Sequence, residues 1–253
     1  MSSLVNFLVV AGNTYEPMDK VRHWSNIFTG KTGHDIAAAL LPIGPVTLLT
    51  SNEPMAKSLL KADGCARLTI KTFRSYNDLD VALAQQMAST NYGVVFMVAA
   101  VSDYSPAGAY RIVSAEPVVG QPAGRELWVV EPVRGDKIPG SLGQVAFRGQ
   151  QTPKLVDKFR QEWHFRGVLV KFKLEAGITE QELVGIAEQS RHHSGADILV
   201  ANLLEMVQGP APAAYILDDL GAIRVDRSEL AHRLVRQVLI RIQQKPLAAQ
   251  ADT

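Results

Sequence analysis

The strongest constraint on this chain is a repeated pattern: short, unbroken apolar runs rich in β-branched residues, separated by segments with helical periodicity. Phe7–Ala11 (FLVVA) is closed by Gly12, and the pattern returns at Val46–Thr50, 94–101, 168–172 and 198–201, with a more polar version at 68–73. A strand that exposes one face alternates apolar and polar residues, whereas a strand covered on both faces does not, and parallel sheets make such strands. Helix-period segments lie between the runs, at 33–41, 77–89, 153–163, 180–193 and 229–243. Several helix starts are signalled: Asn77 as a cap with Asp78 and Asp80 in the first turn, Thr152 before Pro153 at a first helical position, and Ser228 before Glu229. Strands alternating with helices predict an α/β chain with an open, mainly parallel sheet and helices on both faces.

Two segments interrupt the alternation. Residues 105–136 hold four prolines and four glycines in 32 positions, too broken for a long element and too long for an ordinary connection. We expect a flap there, reaching to about residue 140, with room for one short strand at 127–130. Residues 215–217 and 222–225 flank Asp218-Asp219-Leu220-Gly221, the sequence of a β-hairpin, expected over about 213–226. Projecting from the sheet, it could pair two subunits. A length of 253 residues suits a single α/β domain, expected over 1–245, with 246–253 as a C-terminal tail.

Composition narrows the function classes. Lys plus Arg number 26 against 25 Asp plus Glu, a net charge of +1, which gives no basic stripe for nucleic acid and no attraction to an acidic membrane. The single cysteine, Cys65, has no partner for a disulfide and no metal-ligand spacing around it, as expected in a reducing compartment. The longest apolar run, 94–101, is far short of the ~20 residues a membrane span needs. Residues 4–11 lack a preceding basic residue and a cleavage site, so they read as a strand rather than a signal peptide, and the expected location is cytoplasmic.

In an open α/β sheet, ligands bind outside the carboxyl ends of the strands. After the first run comes Gly12-Asn13-Thr14-Tyr15-Glu16-Pro17-Met18-Asp19-Lys20-Val21-Arg22, then Ser25-Asn26-Ile27-Phe28-Thr29-Gly30-Lys31-Thr32-Gly33 entering a helix. Backbone donors, small hydroxyls and a helix N-terminus suit an anionic group. A phosphate loop of the G-x-x-x-x-G-K-[ST] type fails, because Ser25 stands where its first glycine must be. The dinucleotide fingerprint G-x-G-x-x-G is missing after the first run. The third run ends in Ala99-Ala100-Val101-Ser102-Asp103-Tyr104, where small residues admit a flat base and Asp103 can hold a divalent cation or accept hydrogen bonds. Adjacent histidines His192 and His193 face different directions on a helix and read as a solvated helix end.

In combination these segments resemble the phosphopantothenoylcysteine synthetases, or phosphopantothenate-cysteine ligases, of coenzyme A biosynthesis. The family's opening G-G-T-x-E-P-I-D-x-V-R and S-N-x-S-S-G-x-x-G are similar to Gly12 through Gly33, with Asn13 for the second glycine and Thr29 for a serine. Its A-A-V-A-D-Y resembles Ala99 through Tyr104, its T-P-x-I-L resembles Thr152 through Val156, and its F-K-L-E-T resembles Phe172-Lys173-Leu174-Glu175. Lys137-Ile138 resembles the start of its lysine motif, and Ala201-Asn202 its A-N. The likeness runs in the family's order from about Phe7 to the final helix.

The resemblance implies a Rossmann-like three-layer fold and a two-step reaction. A nucleoside triphosphate, CTP or ATP, with Mg2+ converts the carboxylate of 4'-phosphopantothenate into an acyl nucleotidylate, and the cysteine amine then displaces the nucleotide. It implies that Asn26 acts on the acyl nucleotidylate and that Lys137 neutralises the departing pyrophosphate. Gly12, Asn13, Thr14, Ser25, Thr29 and Gly30 would line the pocket for the intermediate's anionic groups. Ala99, Ala100, Asp103, Lys137, Pro153, Lys154, Leu155, Val156 and Phe172 would bind the nucleotide, Asp103 through the magnesium. A homodimer whose sites take residues from both subunits is implied as well. The chain departs from the family in its lysine run, which reads Lys137-Ile138-Pro139-Gly140, and at Ser190 and Ser194, where CTP-using bacterial members carry lysines. With no length for the flavin-dependent decarboxylase to which many relatives are fused, a stand-alone synthetase is expected. Two alternatives stay open: a non-catalytic nucleotide-binding paralogue, and an NAD(P)-dependent reductase, although Gly108 stands where a reductase would place a lysine four residues after Tyr104.

Overall fold

The computed structural model of the protein describes residues 4–118 and 124–244; the expected tail at 246–253 and the domain end at 245 lie outside the described residues. In chain order the elements are β1 (Phe7–Ala11), β2 (Tyr15–Pro17), β3 (His23–Ser25), α1 (Lys31–Leu40), β4 (Val46–Thr50), α2 (Glu53–Ser58), β5 (Leu68–Thr72), α3 (Tyr76–Ser89) and β6 (Val94–Met97). There follow β7 (Tyr104–Pro117), β8 (Glu126–Pro132), β9 (Val145–Gln151), α4 (Leu155–Gln161), β10 (Val168–Glu175), α5 (Glu180–Ser194), β11 (Ile198–Leu203), α6 (Leu204–Gln208), β12 (Ala213–Asp218), β13 (Gly221–Asp226) and α7 (Leu230–Gln244).

The apolar runs form the predicted sheet, eight-stranded in the order β13-β12-β11-β10-β6-β1-β4-β5, with β11 through β5 parallel. Each residue of β1 is buried, and its side chains alternate between two cores. Phe7, Val9 and Ala11 pack with Ile36 and Leu40 of α1 and with Leu234 and Val238 of α7. Leu8 and Val10 face Leu79 and Leu83 of α3 and Phe159 of α4. This is the Rossmann-like α/β architecture, with helices on both faces of a mostly parallel sheet. Among the described residues no helix is long and apolar enough to cross a membrane.

Several local expectations are corrected. Ser75, not Asn77, caps α3: its hydroxyl accepts from the Asp78 amide at 3.2 Å, and the Asp78 carboxylate accepts from the Ser75 amide at 2.9 Å. That reciprocal pair satisfies two donors at once. Thr152-Pro153 does not open a helix, since α4 begins at Leu155 and Thr152 instead donates to the Ser102 carbonyl at 2.6 Å. The run at 94–101 keeps its pairing with β10 only as far as Met97 opposite Lys171. Beyond that it stays beside β1 alone, with the Val98 amide donating to Val10 O at 2.9 Å and the Ala100 amide to Gly12 O at 2.8 Å.

The flap is far more regular than its prolines suggested. β7 runs 14 residues and is the centre of a three-stranded antiparallel sheet, β8-β7-β9. Bulges between Pro106 and Gly108 and between Ile112 and Ser114 absorb the residues that would break a flat ladder. The hairpin is present, but it does not project: β12 pairs antiparallel with β11, so β12 and β13 extend the main sheet at its edge.

Candidate active site

The strand order fixes where a ligand can sit. From β1 the chain steps to β4 on one side and to β6 on the other, so the carboxyl ends of β1 and β6 form the topological switch point of the sheet. β6 separates from β10 there, and a cleft of about 740 Å3 opens between the Gly12 and Asn26–Thr32 loop, the segment 97–103 and the ends of β10 and β11.

Two glycines shape its floor. Gly30 has φ +88°, and a Cβ on it would lie 2.6 Å from the Gly12 amide nitrogen. Gly12 has φ +93° and abuts Ser51. Both positions demand a residue without a side chain, because positive φ strains other residues and the backbones nearly touch. Beyond Gly30, α1 starts with no side-chain cap and no acid in its first turn, leaving its leading amides without intrahelical acceptors.

The loop after β1 is tied to the segment after β6 by hydrogen bonds. Asn26 Nδ2 donates to the Ala100 carbonyl at 3.0 Å, and Asn13 Nδ2 to the Asn26 carbonyl at 2.9 Å. Asn13 is itself held by Ser51, and it forms a parallel bridge with Ala100. The Thr14 hydroxyl accepts from the Ser102 amide at 2.9 Å. Asn13 and Thr14 are thus buried members of the scaffold rather than part of the cleft lining. Ser25 sits in β3 opposite Tyr15 and does not line the cleft.

Among the other sequence-derived candidates, Gly12, Asn26, Thr29 and Gly30 line one wall. Ala99, Ala100 and Asp103 line the middle, and Pro153, Lys154, Leu155, Val156 and Phe172 line the far wall. Asp103 forms an ion pair with Lys154 across the mouth, both half-exposed. Sequence reading missed Lys171, Asn202 and Arg227 as site residues. Lys171 Nζ donates to the Ser190 carbonyl at 3.2 Å; Arg227 donates to Asn202 Oδ1 at 2.8 Å and to Thr32 Oγ1 at 2.5 Å. Burial pushes the Lys171 ammonium and the Arg227 guanidinium below their ordinary pKa values. Near Lys171, one carboxylate oxygen, Asp157 Oδ1, is buried without a hydrogen-bond partner. His192 and His193 are exposed, as a solvated helix end should be.

Lys137 does not line this cleft. It is exposed in the loop between β8 and β9 of the three-stranded flap, or arm, and that loop is pinned to the β2–β3 turn. The Ile138 amide donates to Asp19 Oδ2 at 3.0 Å, Arg22 donates to the Ile138 carbonyl at 2.5 Å, and Arg22 also pairs with Asp19 at 2.6 Å. Hydrogen bonds from the Ile138 amide and from Arg22 hold the Asp19 carboxyl far below the ordinary aspartate range.

A Rossmann-like domain with a largely apolar cleft at its switch point, edged by cations, has the architecture of an α/β ligand-binding protein. Comparison with known proteins sharpens that class. Residues 3–112 match the family described as DNA/pantothenate metabolism flavoprotein C-terminal domain. The Coenzyme A biosynthesis bifunctional protein CoaBC of Thermococcus kodakarensis is 27% identical over 200 residues, covering 78% of this chain and 41% of that protein. The protein of the same name from Mycolicibacterium smegmatis is 28% identical over 199 residues, covering 78% and 42%. The chain therefore spans about two fifths of the length of the curated relatives it matches. Among solved structures, the DNA/pantothenate metabolism flavoprotein of Streptococcus pneumoniae superposes with TM-score 0.73 at 24% identity, covering 94% of this chain and 99% of that one. A Cab2 variant in complex with phosphopantothenate-cysteine superposes with TM-score 0.64 at 16% identity, covering 95% and 87%. The chain is similar to proteins of pantothenate metabolism and coenzyme A biosynthesis, in keeping with the resemblance its motifs carry.

Because the Asp19 pKa is depressed in the folded protein, its contribution is complete above the ordinary aspartate value of ~3.9 and is lost as pH falls below it toward the folded value. Hydrogen exchange of the Ile138 amide should therefore show the same protection factor at pH 7 and pH 5, and Asp19→Asn should lower that factor at both. Equal protection in the two proteins would show that Asp19 does not hold the loop.

Proposed function

We propose that this protein joins 4'-phosphopantothenate to L-cysteine, using CTP or ATP to form an acyl nucleotidylate that the amine then captures. The observation that carries the reading is the Asn26 amide, bonded to the Ala100 carbonyl across the switch-point cleft, which unites the two segments with the strongest ligase resemblance. The reported comparisons are with proteins of pantothenate and coenzyme A metabolism, which supports the same substrate class.

The chemistry requires what the cleft offers. A carboxylate is a poor electrophile, so one of its oxygens must first attack the α-phosphorus, forming a C–O–P anhydride and expelling pyrophosphate. The amine nitrogen then attacks the acyl carbon, the acyl C–O bond breaks, the nucleoside monophosphate leaves and the amine loses a proton. Asn26 has one amide hydrogen on Ala100 O, leaving the second hydrogen to donate to the acyl oxygen as it becomes an oxyanion and Oδ1 to accept from the incoming amine. Pro153 to Val156, with Lys171 and Asp157 nearby, form the wall for the nucleotide.

Magnesium fits this cleft only as a nucleotide-borne ion. Among the described residues no three His, Cys, Asp or Glu side chains cluster as a cage, and Asp103 supplies a single carboxylate at the mouth. One carboxylate completed by phosphate oxygens and water is the coordination Mg2+ favours. When bound it would draw charge from the phosphates, and Asp103 would exchange Lys154 for the ion.

Asn26→Ala should leave pyrophosphate release from triphosphate and phosphopantothenate within about threefold of wild type while lowering amide formation by ~100-fold or more, the effect of deleting one oxyanion donor. Following both products in one assay checks it, and an equal loss of both steps would remove Asn26 from the capture step.

A second copy of the chain is the proposed partner, with the arm rather than the hairpin as its seat. In β8, Leu127, Trp128 and Val129 are 63%, 50% and 53% exposed, an apolar surface that water covers poorly. A dimer would also let Lys137 of one subunit serve the other's cleft. Sedimentation should find a dimer that Trp128→Glu converts to monomer; a monomeric wild-type protein would end this assignment.

A further inference from the structure

Five cations line the cleft, and three of them are neutralised inside the protein. Lys31 pairs with Asp35 at 2.8 Å, Lys173 with Glu175 at 2.6 Å, and Lys154 with Asp103. Among the described residues, the remaining two, Lys171 and Arg227, form no ion pair. They stand on opposite faces of the sheet. Lys171 alternates with Val170 and Phe172, which pack on the α1–α7 side, so it faces α4 and α5, where Ser190 receives it. Arg227, between β13 and α7, reaches Thr32 in the first turn of α1 and Asn202 at the end of β11.

Arg227 is the more telling of the two. It donates to neutral oxygens, the Asn202 amide and the Thr32 hydroxyl, which fix the plane of the guanidinium without cancelling its charge. A half-buried guanidinium costs desolvation, and that cost is recovered when an anion with matching forked geometry arrives. Burial already disfavours its charged form. If the nucleotide occupies the α4 side, the other substrate must take the α1–α7 side. Apart from its reacting carboxylate, the one anionic group of that substrate is its terminal phosphate.

We propose that Arg227, held by Asn202 and Thr32, is the residue that binds the terminal phosphate of the pantothenate substrate and selects phosphorylated over unphosphorylated substrate. This rests on the ligase reading for the identity of the substrate, while the phosphate-binding role can be measured without turnover.

The test compares wild type, Arg227→Gln and Arg227→Lys. In calorimetric titration with 4'-phosphopantothenate alone, Arg227→Gln should bind ~10- to 100-fold more weakly, the range for losing a charge-assisted contact, and Arg227→Lys should recover part of the loss. Pantothenate without the phosphate should bind wild type and Arg227→Gln equally. In turnover, KM for phosphopantothenate should rise in Arg227→Gln while KM for the nucleotide stays within about threefold. A selective rise in the nucleotide KM would place the triphosphate on Arg227 and overturn the proposal, as would wild-type protein that fails to distinguish phosphopantothenate from pantothenate. Wild-type protein that binds phosphopantothenate through Arg227 but forms no amide would sink the ligase reading and leave the phosphate site standing. Thermal unfolding of each variant, unchanged within a few degrees, separates lost binding from lost fold.

Discussion

The structure depends on one join: the loop after β1 is hydrogen-bonded to the segment after β6 at the point where the sheet reverses its direction of growth. Asn13, Thr14 and Asn26 supply the side chains, and Gly12, Ala100 and Ser102 supply the backbone. Asn13 and Thr14 are buried, so each unmade bond would leave a polar group without water or partner. That penalty makes the join specific. If the pairing slipped by one residue, Thr14 would lose the Ser102 amide and Asn13 its bridge to Ala100 together.

Around that join the cleft divides its charges by function. Lys31, Lys154 and Lys173 carry acid partners, while Lys171 and Arg227 present charge to the cleft from opposite faces of the sheet. Under the proposed function the substrate's terminal phosphate would meet Arg227, and the nucleotide would lie on the Lys171 side. In the middle of the cleft Ala99 and Ala100 carry no ionisable group, and the neighbouring Asp103 carboxylate is held by Lys154. The arm carries a different surface, with exposed Leu127, Trp128 and Val129.

Much of the fold was legible because parallel strands buried on both faces leave a strong trace: FLVVA, VTLLT and ILVA each became a strand of the main sheet. The arm was not legible. Among the described residues, Pro106 and Gly108 flank a bulge and Pro117 and Pro132 end strands of an antiparallel sheet, and exposure on both faces removes the apolar alternation that marks a strand. The start of α3 was displaced because Ser75 and Asn77 are both good caps, and only the geometry of Asp78 chooses between them. For the site, motif resemblance located Asn26, Ala100 and Asp103, which share the cleft. It also selected Asn13 and Thr14, whose small polar side chains serve the scaffold equally well. Lys171 did leave a signal, a charge inside the otherwise apolar run VLVKF, where a two-faced buried strand has no use for one. Arg227 left none, since its contacts with Thr32 and Asn202 span 195 and 25 residues.

The central claim is that the carboxylate itself is activated by transfer to the nucleotide within this cleft. The direct measurement is turnover with 4'-phosphopantothenate carrying 18O in both carboxylate oxygens, with cysteine, Mg2+ and CTP or ATP, followed by mass analysis of the phosphorus products. One 18O should appear in each nucleoside monophosphate formed, matched by one amide and one unlabelled pyrophosphate. Label in inorganic phosphate with release of a nucleoside diphosphate, or amide formed with no label in any phosphorus product, would contradict the account.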